Sequence, residues 1–436
     1  MGYSGLMNNY EFKKSIYNII SEVRDGYLIF NTASCKLMYV TSEELDNFWN
    51  SNVPLENGYL VKINDDEKGK IIEYRECHNI LERLSKYVIF TTTDCNARCY
   101  YCFEKNHTNR KKMETSTCDK VVRFIDSNYD GKKIQLAWFG GEPLLNTDAI
   151  HRIISGCEHN NIDFYSTMIT NGILFSNVSQ DDLKRWKLKW VQIPLDGQEE
   201  IYNKIKNYID RDMKTNPFKQ VIDNIQYLAG MKIHVLISLR VNLVNGESLY
   251  NLLDLLYSLF HNNKYVSVMC ATIHEKNLGE FFPRNEADER YVRYWQKKIM
   301  MKAYELGLYR PHLPKNIRVF HCNSDNGSEI IIYQDGQLGW CNNYLDDGFI
   351  GDVNNGVTND KEIEKFKKRY EDNLECDSCA FYPQCTRLVC CDGSTAKCTT
   401  HSLENLKLNY EIAMKNEYIE YVKTKKQDVI YNNEQK

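Results

Sequence analysis

Residues 91–104, TTTDCNARCYYCFE, set three cysteines into eight positions directly after YVIFTTT (87–93), an apolar run that reads as a buried strand. Cys95, Cys99 and Cys102 constrain this chain more than any other feature. With 16 cysteines in 436 residues, a CxxxCxxC pattern arises by chance only about 0.02 times per chain. Three thiolates on one loop can hold three corners of an iron-sulfur cubane and leave one iron open, whereas a structural zinc asks for four ligands.

The other cysteines sharpen this reading. Cys35, Cys77, Cys118, Cys157 and Cys270 are scattered singly and are expected to be ordinary buried thiols, while the remaining eleven fall in two groups. The start MGYSGLMNNYEFKKSIYNII has neither a long apolar stretch nor a cleavage site, and Leu6 stands where a myristoylation signal at Gly2 wants Ser or Thr. No run approaches a membrane span, so a cytoplasmic setting without disulfides is expected. A net charge of −4 gives no basic field for nucleic acid.

Six strand-like runs, at 87–93, 134–141, 163–170, 190–197, 232–242 and 265–274, alternate with helical stretches such as ETSTCDKVVRFIDSNY, FKQVIDNIQYLAG and ESLYNLLDLLYSLFHNN. Strand and helix repeated in this way imply a parallel α/β sheet, read here as an open six-stranded (β/α) barrel over residues 86–310. Chemistry-bearing motifs fall at the C-terminal ends of the strands, where such sheets place their sites.

CxxxCxΦC, with Tyr101 at the aromatic position, resembles the signature of the radical S-adenosylmethionine (SAM) superfamily. The resemblance implies a partial (β/α)6 radical SAM barrel with a 4Fe-4S cluster on Cys95, Cys99 and Cys102, and places Tyr101 by the adenine. WFGGEPLL (138–145) resembles the GGEP motif, which implies that Gly140, Gly141 and Glu142 meet the methionine amino group. MITNG (168–172), with Asn171, and IPLDG (193–197) resemble the next strand ends. ISLRVN (237–242) supplies Ser238 and Arg240, implied to lie near the ribose and carboxylate.

The second cysteine group opens with Cys322 and Cys341, separated by EIIIYQDGQLGW, a hairpin turning at Asp335-Gly336. Cys376, Cys379, Cys385, Cys390, Cys391 and Cys398 follow. Zinc ribbons are one reading of such pairs. The spacing also resembles the SPASM extension, which implies two auxiliary 4Fe-4S clusters: Cys322 and Cys341 on the first, Cys376, Cys379, Cys385 and Cys398 on the second. Cys390, Cys391 or both would reach back to the first. Here the chain departs from the family spacing, which puts that cysteine where Val389 stands, and no fourth ligand stands just upstream of Cys322, so an open iron is an alternative. His321, beside Cys322, reads as structural.

Residues 1–85 read as a small α+β module: strand, turn and strand from Tyr27, a helix capped at Thr41 or Ser42, then ENGYLVKIN as a strand, an acidic turn and a helix. Its sheet edges suit an extended peptide. The arrangement resembles the winged-helix-like leader-binding element (RiPP recognition element) of radical peptide maturases. The domains expected are thus 1–85 for leader binding, 86–310 for the barrel, 311–405 for SPASM and 406–436 as a C-terminal helix or tail. The resemblance implies reductive SAM cleavage fed by an external flavodoxin- or ferredoxin-type donor, and hydrogen abstraction from a ribosomally made precursor peptide to install a thioether or other cross-link. A sulfatase-maturing enzyme is the alternative. In that group an Asp acts as base after the cysteine equivalent to Cys341, and Asn342 stands here. A zinc-stabilised binding module without catalysis is the non-enzyme alternative.

Overall fold

A computed structural model describes residues 11–102, 110–209, 216–272, 285–320, 322–341, 348–367, 374–385 and 400–434. The chain divides into two compact units: Met1–Leu81 with Arg310–Asn326 and Lys367–Lys436, and Glu82–Tyr309 with Gly327–Phe366.

In the first unit, β1 (Phe12–Lys14) pairs antiparallel with β5 (Leu60–Lys62), while β2 (Asn18–Val23), β3 (Gly26–Asn31) and β4 (Lys36–Thr41) form an antiparallel meander. Successive side chains of β3 enter opposite faces, as the two-residue period of a strand requires. Leu28 and Phe30 pack with Ile19, Phe381, Ala413 and Met414, and Ile29 packs with Val40, Phe48 and Tyr59. Helices α1 (Leu45–Trp49), α2 (Val53–Glu56) and α3 (Glu67–His78) complete the module. Asp66 caps α3 by accepting the Gly69 N–H at 2.8 Å, as the acidic turn predicts.

Two expectations need correction. Helix α1 starts at Leu45 after Glu44, and Thr41 instead accepts the Glu44 N–H at 3.3 Å, closing the turn before the helix. Strand β2 is missing from the sequence reading although Asp25-Gly26 stands at its hairpin, because NIISEV mixes Asn18, Ser21 and Glu22 with its apolar residues and gives no clean alternation.

The second unit is built on a ten-stranded sheet. Strands β6 (Lys86–Thr92), β7 (Ile134–Gly140), β8 (Phe164–Ile169), β9 (Leu188–Leu195), β10 (His234–Val241) and β11 (Val266–Thr272) lie side by side in chain order, all parallel. These are the six expected runs. Strand β12 (Glu329–Ile332) joins the free edge of β6 in parallel, and the hairpin at Asp335-Gly336 leads to β13 (Gln337–Gly339), with β14 (Phe349–Asp352) and β15 (Gly356–Val357) beyond.

Between the strands run α4 (Thr115–Ser127), α5 (Thr147–His159), α6 (Gln180–Arg185), α7 (Glu199–Lys206), α8 (Pro217–Gly230), α9 (Gly246–Phe260) and α10 (Glu286–Glu305), followed by α11 (Asp360–Lys367). Their apolar stripes and the strands make one core that includes Leu136, Ile193, Ile237, Leu239 and Leu252. The 35-residue α12 (Thr400–Glu434) returns to the first unit. Among the described residues, no helix is long and apolar enough to cross a membrane.

Ile237 sits on β10 between β9 and β11 and is fully buried, whereas Ile20 on β2 is 43% exposed. Ile237→Ala is expected to destabilise the sheet by about 2–5 kcal/mol through lost transfer energy and the cavity left behind. Ile20→Ala should cost about 0.5 kcal/mol or less. Denaturant titration followed by tryptophan fluorescence checks the contrast.

Candidate functional site

The cysteine loop leaves β6 at Thr92 and is stitched in place on both sides. On one side Gly141 N–H donates to the Thr92 carbonyl (3.0 Å) and Glu142 N–H to the Asp94 carbonyl (2.8 Å). This approach explains the two glycines. A Cβ on Gly140 would lie 2.2 Å from the Thr92 oxygen and one on Gly141 2.3 Å from the Asp94 oxygen, and Gly140 has φ +125° besides.

On the other side, the last carbonyls of α7 have no intrahelical partner. The loop supplies one: Arg98 N–H donates to Lys206 O (3.0 Å) and Asn207 O (3.1 Å), and Tyr100 N–H to Ile205 O (3.4 Å). Asn207, left-handed at φ 46°, ends the helix so that these carbonyls face the loop. Ile209 N–H returns a bond to Asn96 O at 3.0 Å.

Glu142 is fully buried. Its carboxylate accepts from Thr170 Oγ1 (2.7 Å), Asn171 N–H (2.9 Å) and Leu144 N–H (3.2 Å), and Asn171 Nδ2 donates to Asn96 Oδ1 at 2.7 Å. Burial outweighs these donors and lifts the carboxyl to about 7. A carboxylate has about four acceptor positions, so three donors leave room for a cationic one.

Beneath the loop, Tyr101 donates its phenol to Asp196 Oδ2 (2.9 Å), and Lys206 Nζ donates to the Tyr101 oxygen (3.0 Å) and pairs with Asp196 Oδ2 (3.0 Å). Burial alone would depress the Lys206 ammonium, but Asp196 and Tyr101 together carry it well above its ordinary value. Lys206 and Asp196 are both buried.

Asp196 lies at the end of β9 and Ser238 on the neighbouring β10, where it pairs with Pro194. Asp196 Oδ1 and Ser238 Oγ are buried without a hydrogen-bond partner among the described residues. Unpaired polar atoms at the mouth of a parallel sheet suit a polar ligand. Arg240 follows on the same strand and is half-buried.

Cys95, Cys99 and Cys102 are all partly buried, and burial pushes the Cys95 and Cys99 thiols up. Among the described residues, no three His, Cys, Asp or Glu side chains converge on a point fit for one metal ion. A cubane does not require that, since each thiolate takes a different iron. Residues 89–256 match the family model of the Radical SAM superfamily.

Residues 89–256 are a radical SAM domain. The cysteine-type anaerobic sulfatase-maturating enzyme of Clostridium novyi is 23% identical over 337 residues, 70% of this chain and 87% of that protein. The radical SAM cyclopropyl synthase TigE of Paramaledivibacter caminithermalis is 21% identical over 229 residues, 45% of this chain and 48% of that one. An uncharacterized protein of Methanocaldococcus jannaschii is 30% identical over 122 residues, 28% of this chain and 41% of that protein. Of these last two, the matched stretch therefore spans less than half the length. The fold is shared with native anSMEcpe with bound AdoMet, at TM-score 0.57 and 16% identity over 77% of this chain and 98% of that one.

In the first unit, Cys376 sits on the short 3-10 turn Leu374–Ser378, Cys379 directly follows it, Cys385 directly follows the next, Tyr382–Gln384, and Cys322 is exposed. Cys341 follows β13 and belongs to the second unit. Cys390, Cys391, Cys398, His321 and Asn342 lie outside the described residues. Of the scattered cysteines, Cys118 and Cys157 are buried as expected, Cys35 and Cys270 are half-buried, and Cys77 is exposed near the end of α3.

Sequence reasoning missed Thr170, Asn96, Asp196 and Lys206. The signal for Lys206 is its spacing of four from Tyr202, which puts a lysine on the apolar face of α7.

Lys206→Met leaves Asp196 buried without its cation and is expected to cost about 3–5 kcal/mol. Adding Asp196→Asn should recover most of that loss. Thermal unfolding of the single and double variants checks this, and a double variant no more stable than Lys206→Met would refute the pairing as the source of the cost.

Proposed function

We propose that this radical SAM enzyme is a maturase of ribosomally made peptides, installing a thioether or other side-chain cross-link. The observation that carries the reading is the three-stranded antiparallel sheet of residues 18–41, whose edge strands β2 and β4 suit main-chain pairing with an extended leader peptide. The sheet would then correspond to the leader-binding element, and the cysteines of residues 322–398 to a SPASM extension with two auxiliary 4Fe-4S clusters.

A 4Fe-4S cluster on Cys95, Cys99 and Cys102 with bound SAM would supply reductive cleavage of the sulfonium and a carbon radical that abstracts hydrogen. The residues of the chain bind and orient. Glu142, with one acceptor position left, would take the methionine ammonium. Asp196 Oδ1 and Ser238 Oγ would accept and donate to the ribose hydroxyls, with Arg240 toward the carboxylate. Gly140 and Gly141 keep the strand end close enough to the loop for these groups to share one ligand.

A second reading, maturation of a sulfatase, draws on the likeness to the Clostridium novyi enzyme. Asn342 weighs against it, since an amide cannot accept the proton that this group's aspartate takes.

The deciding experiment is anaerobic co-expression with a candidate precursor peptide, read by mass. Loss of two hydrogens per modified site, abolished in the Cys95→Ala/Cys99→Ala/Cys102→Ala variant together with SAM cleavage, supports the peptide reading. An unmodified peptide beside intact SAM cleavage turns the assignment to sulfatases.

Because burial lifts Glu142 to about 7, protons compete with the ammonium for it. SAM affinity is expected to be highest above that value and to fall as pH drops through it, approaching tenfold per unit on the acid side. Glu142→Gln should weaken binding by about 1.5–3 kcal/mol and flatten this dependence. Equilibrium binding of SAM between roughly pH 6 and pH 8 measures both.

A further inference from the structure

The segment that carries Cys376, Cys379 and Cys385 is held by side chains from the other end of the sequence. Arg75, buried in α3, donates from Nη2 to the Tyr382 carbonyl (2.6 Å) and from Nε to the Arg318 carbonyl (3.0 Å), and its guanidinium lies 5.0 Å over the Tyr382 ring. Two turns earlier on the same helix, Lys68 pairs with Asp377 at 2.6 Å.

The turn between β3 and β4 grips the same segment. Thr32 Oγ1 donates to the Ala380 carbonyl (2.5 Å), and Gln384 Nε2 donates to Thr32 O (2.9 Å) and Asn316 O (3.0 Å) and stands 3.4 Å from the Cys35 sulfur. Cys376 and Cys379 pack against Tyr17, Ile71 and Tyr382. Asp377, Ala380, Tyr382 and Gln384, which lie between the three cysteines in sequence, are thus all held by residues 17–75.

Short 3-10 turns set few of their own hydrogen bonds, so the geometry of their thiols comes from what surrounds them. A buried guanidinium forked onto two carbonyls fixes backbone position in a way that an ammonium cannot. Whatever binds only the ordered loop also stabilises the elements that order it, and the linkage runs equally in both directions.

We propose that α3 and the β3–β4 turn hold this loop in its iron-binding arrangement, with Arg75 as the positioning residue, so that cluster loading at Cys376, Cys379 and Cys385 and the order of the peptide-binding module are thermodynamically coupled. This rests on the reading of those cysteines as ligands of an auxiliary cluster. Leader peptide bound on the module would then tighten the cluster loop, and a loaded loop would favour leader binding.

The test uses the full-length protein, reconstituted anaerobically with iron and sulfide. Amide hydrogen exchange at residues 17–31 and 67–78 is compared between wild type and Cys376→Ala, with iron counted in each. Lower iron and exchange faster by about tenfold or more in Cys376→Ala are expected. Lower iron with unchanged exchange overturns the coupling, and unchanged iron overturns the cluster reading on which it rests.

Arg75→Met should lose iron from this loop to a chelator about tenfold faster than wild type, while the SAM-induced change in the spectrum of the Cys95/Cys99/Cys102 cluster persists, and Arg75→Lys should restore only part. An Arg75→Met protein that keeps iron as wild type does overturns the role of Arg75. Should that variant not fold, the exchange comparison decides alone.

Discussion

The contact on which the second unit's chemistry depends is between the C-terminal end of one short helix and the backbone of one loop. Helix α7 ends with carbonyls that need donors, and the cysteine loop has N–H groups that need acceptors. Joining Arg98 and Tyr100 to Ile205, Lys206 and Asn207 satisfies both at once. Lys206 serves this joint twice, through its carbonyl to Arg98 and through its ammonium to Tyr101 and Asp196. A loop carrying three partly buried thiols is thereby fixed by main-chain bonds to a neighbouring helix end.

The charges around that joint are arranged so that each has a partner except where a ligand is wanted. Lys206 cancels one oxygen of Asp196, and the other has no partner among the described residues. Glu142 takes three donors and is lifted to about 7 by burial, so it meets a cation more favourably than it meets nothing. Both carboxylates lie at C-terminal strand ends, where the parallel sheet gathers side chains from adjacent strands at one edge.

What was legible in the sequence is what local physics decides. The six parallel strands announce themselves because strands buried on both faces read as near-continuous apolar runs, and they stand in the order that sequential crossover connections favour. The cysteine triplet is local as well, whereas Gly140-Gly141-Glu142 was legible only through the motif it resembles, since the backbone that demands the glycines, at Thr92 and Asp94, lies across α4 in the chain. Lys206, Thr170 and Asn96 were illegible because their partners are distant in sequence: Lys206 is 105 residues from Tyr101, and Thr170 is 28 from Glu142. A lysine near a helix end is ordinarily a solvated one, so its burial on the apolar face of α7 shows only once the partner is known. Strand β2 escaped for a smaller reason: Asp25-Gly26 marks its turn, but Asn18, Ser21 and Glu22 break the apolar pattern of the strand itself.

The first unit shows the same limit at the scale of folding. Its N-terminal sheet buries one face against α1 and Tyr59, both within reach of the early chain, but Ile19, Leu28 and Phe30 find their partners in Leu313, Phe381, Ala413 and Met414. A chain synthesised from its N-terminus would hold that apolar face open until the last quarter of the sequence arrives, while the parallel sheet between can close on neighbours in chain order. The module at the start of the sequence is therefore completed last, and its final wall is the segment that carries Cys376, Cys379 and Cys385. A reading of the first 80 residues sees three strands and two helices with one sheet face left unmatched, because the partners of Ile19, Leu28 and Phe30 are encoded at the other end of the chain.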